Sequence, residues 1–332
     1  MGQRRDVIHI LSAFFSGSTL LSSLLDCQPQ IRALTEALFL WRAMAEDRSR
    51  SSPYCAFCQA RCEQCDLFKF LQMHPQRNVY ECVDEFYDHD SLAYADSSKQ
   101  PLDLMAHWRL PPASWGHKAI VLSKSPHAMA YSYMEHDKRQ QKAGEPAKDN
   151  LADIIEGWIE TYRCIFRWLD GCQQRNTHLI DEWSVVYGGD PPHFNPEDVL
   201  VVRYPDLASK HNEALARICK QFQLEFDAER TAKPWDEPSN SHQIIVNSSI
   251  YAQVASSDFF FEQEHSKDYL DGKYTGQNKK VFLDEKWRKD EQFLVKCERI
   301  YKCPHRSHEL EALSLRLGHG TLDDLRKDIH AN

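Results

Sequence analysis

Apolar positions along the chain alternate between short runs and longer periodic stretches. Residues 7–11, Val-Ile-His-Ile-Leu, have the length of a buried strand. Small residues follow over 12–18, and Leu20, Leu21, Leu24 and Leu25 then recur at helical spacing over 19–27. Residues 92–95 predict a strand ending at Asp96, and 119–122 predict another, followed by a helix over 127–142. The clearest periodicity spans 151–169, where Leu151, Ile155, Trp158, Tyr162, Ile165 and Leu169 share one helix face. Two more strands are predicted at 178–180 and 199–203, a helix at 207–224, and closing helices at 285–301 and 307–318. Residues 48–90 lack clear periodicity and read as a Cys-rich insertion. Residues 142–149 read as a linker, and 225–284 as an irregular segment. Strands alternating with helices predict one α/β domain over 1–332, with a mainly parallel central sheet flanked by helices.

Composition narrows the partners. The formal charge is −9, from 40 Lys+Arg against 49 Asp+Glu, which argues against nucleic acid as a general partner. An anionic ligand must then be held by local features. No run of about 18 apolar residues occurs, so the reading is a soluble protein without a membrane span. The eleven cysteines come without a secretory leader and read as mostly reduced thiols in a cytoplasmic setting.

Ser16-Gly17-Ser18-Thr19 lies between the first predicted strand and the first helix. Small residues let backbone N–H groups approach a phosphate, and a helix N-terminus favours negative charge. A Ser/Gly helix cap has the same composition. A Walker A loop would end in Gly-Lys-Ser/Thr, and that lysine is missing.

The wider context decides between them. The stretch from Phe15 through the helix to Glu36 resembles the 5′-phosphosulfate loop of sulfotransferases. Asp96-Ser97-Ser98-Lys99 is similar to a strand end of many bacterial members. Lys124-Ser125-Pro126-His127, with Ser132 eight positions after Lys124, resembles the family's 3′-phosphate segment, and Arg203-Tyr204-Pro205-Asp206-Leu207 resembles a further element. A weaker echo is Thr275-Gly276-Gln277-Asn278-Lys279. The resemblance implies a P-loop-like sulfotransferase fold and sulfuryl transfer from 3′-phosphoadenosine 5′-phosphosulfate (PAPS) to a hydroxyl or amine of a small molecule, leaving PAP. It implies that Ser16, Gly17, Ser18 and Thr19 cradle the 5′-phosphate, that Lys124 and Ser132 hold the 3′-phosphate, and that Lys279 adds a contact. Glu36 matches the base position, and Lys99 a cation near the sulfate.

The chain departs from that pattern where the resemblance implies Arg or Lys before the Ser-Gly pair: Phe15 stands there, after Phe14. Loss of one oriented donor costs about 3 kcal/mol of transition-state stabilisation. Lys99 is the substitute cation. A kinase-like group transferase and a non-catalytic nucleotide-binding protein are the alternatives that Phe15 keeps open. Lys124 replaces an expected Arg and lacks its bidentate fork, so weaker nucleotide binding is expected. His127 and His136 are reserve candidates for the base, and His9 reads as structural.

Cys55, Cys58, Cys62 and Cys65 form two C-x-x-C pairs, a pattern suited to structural zinc and equally to uncoordinated or paired thiols, with an iron–sulfur cluster as a lesser alternative. On one straight helix the first and last would stand about 15 Å apart, too far for one ion. Either the segment is not helical or ligands come from elsewhere.

Overall fold

The computed structural model describes residues 5–35, 37, 54–55, 60–61, 64–88, 90–99, 112, 114–140, 150–174, 192–232 and 285–331. Five strands form one all-parallel sheet: β1 (Asp6–Ser12), β2 (Ile31–Thr35), β5 (Ala93–Lys99), β6 (Gly116–Ser123) and β7 (Val199–Arg203), in the order β2-β5-β1-β6-β7. A two-stranded antiparallel hairpin, β3 (Tyr54–Cys55) with β4 (Ala60–Arg61), stands apart from it.

The strands are apolar on both faces because helices cover both. Ile8, Ile10, Ile120 and Leu122 pack with α1 (Ser18–Asp26) on one side. Leu11, Ala119 and Val121 pack on the other, against a core that includes the 24-residue α5 (Leu151–Gln174). That helix runs a turn beyond the predicted stretch, and its Trp158 and Tyr162 are fully buried. His9 is buried on β1, its Nε2 3.1 Å from His117 Nδ1, and desolvation lowers its pKa to about 3.

Several expectations are revised. β5 continues through Asp96 to Lys99, so the Asp-Ser-Ser-Lys stretch lies within the strand. Residues 66–86, read as aperiodic, form α2 (Asp66–Met73) and α3 (Val79–Phe86), which fill a third core with Tyr94. After α4 (Pro126–Gln140), the helix expected over 207–224 is two, α6 (Tyr204–Ser209) and α7 (His211–Phe222), broken at Lys210. A short helix α8 (Ala228–Ala232) follows. The C-terminal region holds a 3₁₀ turn (Lys286–Lys289), α9 (Glu291–Tyr301), α10 (Pro304–Arg316) and the unexpected α11 (Leu322–His330). The strand predicted at 178–180, the 142–149 linker and most of 225–284 lie outside the described residues.

Candidate active site

Ligands of open parallel sheets bind beyond the carboxyl ends of the strands, where the strand order reverses. Here β5 and β6 flank β1 on opposite sides, which puts that point at the end of β1. Four of the motifs singled out in the sequence meet this edge. The small-residue loop follows β1, Lys99 ends β5, Lys124 follows β6 and Tyr204 follows β7.

The loop is shaped by its neighbours. Gly17 caps α1 with φ of 92°, the left-handed region that glycine adopts without a Cβ penalty. A Cβ there would stand 2.5 Å from Tyr204 Cδ2, so the ring of Tyr204 closes directly over the glycine. Ser16 is buried, and Tyr162 braces it from α5. The Tyr162 hydroxyl donates to the Leu122 carbonyl at 2.7 Å and accepts from Ser16 Oγ at 3.3 Å and the Ala13 amide at 3.4 Å. Burial pushes that phenol up to about 12, so it keeps its proton for Leu122.

Lys124 and Ser132 come together. Lys124 Nζ donates to Ser132 Oγ at 2.9 Å, and the Ser132 hydroxyl donates to the Ala128 carbonyl at 3.1 Å, one turn back in α4. Trp158 Nε1 holds the Lys124 carbonyl at 3.0 Å. The ammonium also lies 4.7 Å from the centre of the Tyr204 ring, a cation–π contact. Tyr204 therefore links Gly17 to Lys124.

Phe15 also has a left-handed backbone, with φ of 61°. Its ring is turned onto α4, against Tyr133 at 5.5 Å and His136 at 5.1 Å. Phe14 is half exposed, and Lys99 Nζ lies 5.8 Å from its ring. Lys99 has φ of 71°. Left-handed non-glycine residues cost about 1–3 kcal/mol and gather at functional sites.

Asp96, three residues before Lys99, is buried. Its Oδ1 accepts from the Ala37 amide (3.1 Å), the Ser98 amide (2.9 Å) and Ser98 Oγ (2.6 Å), while Oδ2 accepts from the Tyr80 hydroxyl (2.6 Å). Desolvation raises its pKa against the pull of these donors.

Glu36 and Lys279 lie outside the described residues, as do Cys58 and Cys62. Cys55 lies in the hairpin and Cys65 is the buried N-cap of α2, so the four cysteines do not share one helix. Among the described residues no cluster of three metal-ligating side chains occurs, and no helix is long and apolar enough to cross a membrane. Sequence reasoning missed Tyr162, which read only as core, and the roles of Tyr204 and Asp96, although both lie inside quoted motifs.

No family model matches the sequence, and no curated protein matches it. The fold does have a counterpart. The sulfotransferase domain from the curacin biosynthetic pathway aligns with a TM-score of 0.53 and 15 % identity, over 96 % of this chain and all (100 %) of that one. The sulfotransferase domain of the Synechococcus PCC 7002 olefin synthase aligns at 0.43 with 17 % identity, over 72 % and 80 %. Mouse sulfotransferase SULT7A1, complexed with PAP, aligns at 0.42 with 11 % identity, over 96 % and 90 %. The chain is an α/β protein with a parallel sheet whose loops meet at one edge. Its fold is the sulfotransferase fold.

Proposed function

We propose that the protein is a cytoplasmic sulfotransferase that moves a sulfuryl group from PAPS to a hydroxyl or amine of a small molecule. One observation carries this reading: Tyr204 joins the Gly17 loop to the Lys124–Ser132 pair, so the two features proposed to receive phosphates meet at one ring. The N–H groups of Gly17 to Thr19 and the hydroxyls of Ser16, Ser18 and Thr19 would receive the 5′-phosphate, and Lys124 with Ser132 the 3′-phosphate. Lys279 would add a contact. Sulfuryl transfer needs alignment and neutralised equatorial oxygens, as phosphoryl transfer does. Lys99 supplies the charge and Glu36 takes the acceptor proton. PAP should raise the melting temperature more than AMP or ATP does, and Lys124→Ala should erase that preference. Equal shifts with AMP and PAP would overturn the donor assignment.

Phe15 supports a second reading, a nucleotide-binding protein without turnover, because its ring is spent on α4 where a cation is expected. Labelled phosphosulfate offered with a broad set of acceptors separates the two. We also propose structural zinc on Cys55, Cys58, Cys62 and Cys65. The antiparallel pairing Cys55↔Ala60 turns the chain back on itself and removes the obstacle of a straight helix. Elemental analysis should find about one zinc per chain, since such sites hold four thiolates around one ion.

A further inference from the structure

Behind Lys124 a second group of side chains meets, away from the phosphate loop. His127 is fully buried, with Nδ1 3.0 Å from the Tyr301 hydroxyl and Nε2 3.0 Å from both Asp328 Oδ2 and Ser125 Oγ. Burial keeps the Tyr301 phenol protonated, so it donates to Nδ1, and Nε2–H is left to donate to Asp328 and Ser125. Arg288 completes the group. Its NH2 reaches Asp328 Oδ1 at 2.6 Å and its NH1 the Asp328 carbonyl at 2.7 Å. Its guanidinium stacks 4.3 Å from the Trp287 ring, which itself lies 4.4 Å from the imidazole. Four elements thus converge on one ring: the 124–125 turn with the start of α4, the 3₁₀ turn, α9 and α11.

We propose that His127 is a positioning residue for the nucleotide site, one that fastens the Lys124 turn to α11 through Asp328 and takes up a proton when a phosphate dianion docks against Lys124. The inference rests on the donor reading above. Burial keeps the imidazole neutral, Asp328 favours its charged form, and the charges of Arg288 and Lys124 oppose it. The other facing groups carry no charge to compete. Tyr301 stays protonated, Cys297 beside it is pushed up to about 12, and burial lowers His319 to about 4. A dianion beside Lys124 offsets that lysine's repulsion and adds an attraction, so the imidazolium is favoured in the complex. Linkage makes the effect reciprocal: affinity for the dianion rises as the pH falls through the titration of His127.

The test is calorimetric titration of the full chain with PAP, in pairs of buffers with different ionisation heats, between about pH 5 and 8. The 3′-phosphate titrates near pH 6 and sheds its own proton on binding, so the reading is the difference from His127→Asn. Wild type should take up more protons than this variant, and the difference should vanish with AMP, which lacks the 3′-phosphate. Asp328→Asn should weaken PAP several-fold and shrink the proton uptake. Equal proton counts in wild type and His127→Asn overturn the proposal. If that variant does not fold, an Asp328→Asn protein matching wild type in both affinity and proton count does the same. PAP binding no better than AMP would instead bring down the donor reading, and this inference with it.

Discussion

Tyr204 touches both halves of the site, and Gly17 lies beneath its ring. Gly17→Ala would force a Cβ into that ring and hold a left-handed backbone at a cost of about 1–2 kcal/mol before the clash is counted. The variant should unfold at lower denaturant than wild type and lose PAP affinity, whereas Gly157→Ala, with open space around its Cβ, should do neither. Lys99 makes a different kind of prediction. Its charge lies near the exposed Phe14 ring, and the proposed role would set it beside the sulfate of the donor. Lys99→Ala should weaken PAPS more than PAP and slow transfer. Equal weakening of both ligands would move the lysine away from the sulfate. Glu36→Gln should leave PAP affinity nearly unchanged and cut turnover by roughly 10²-fold or more, the range for removing a general base. Near-full activity on the true acceptor would place the base elsewhere.

Between elements, Asp96 is the tie of most consequence. It binds the amide of Ala37, next in sequence to Glu36, and the amide and hydroxyl of Ser98, next to Lys99. Asp96→Asn cannot accept from all four donors, and a buried donor left unpaired costs about 1–3 kcal/mol. If Glu36 and Lys99 act as proposed, the substitution should lower stability and depress kcat more than PAP affinity, because this carboxyl holds the sequence neighbours of both, Ala37 and Ser98. The same scale shows what the sequence makes legible. The long period of α5 and the apolar runs of β1, β6 and β7 are visible because burial demands them over many residues. Helix α2 has eight residues, too few for Leu67, Phe68 and Leu71 to display a period. Signals for other missed elements are present. Asn78 caps α3 by accepting from the Tyr80 and Glu81 amides, and Thr321 with Asp324 forms a capping box ahead of Leu322, Leu325 and Ile329 in α11. Asp96 carried a motif in the sequence, but its partner Tyr80 belongs to a helix that showed no period. The tie therefore appears only in three dimensions.

At the scale of the whole molecule, buried imidazoles among the described residues contribute to the response to acid. His9 is lowered to about 3 and His319 to about 4, against an ordinary value near 6.5. Below about pH 6.5 the unfolded chain binds protons that these folded histidines refuse, so their contribution to stability is full above that pH and drains away towards pH 4. Asp96, raised by burial, works in the opposite direction but is one carboxyl against several such groups. Denaturant midpoints should fall between pH 7 and pH 5, and His319→Gln should flatten the decline. The contact between His127 and Asp328 joins residues 201 positions apart. Chains emerge from the ribosome N-terminal end first, at about 5–20 residues per second. The Lys124 turn is therefore translated some ten seconds or more, on the order of that rate, before the carboxylate that latches it exists. During that interval the nascent sheet would carry the proposed nucleotide site without its fastening, and ligand capture would wait until Asp328 has been made and folded against His127.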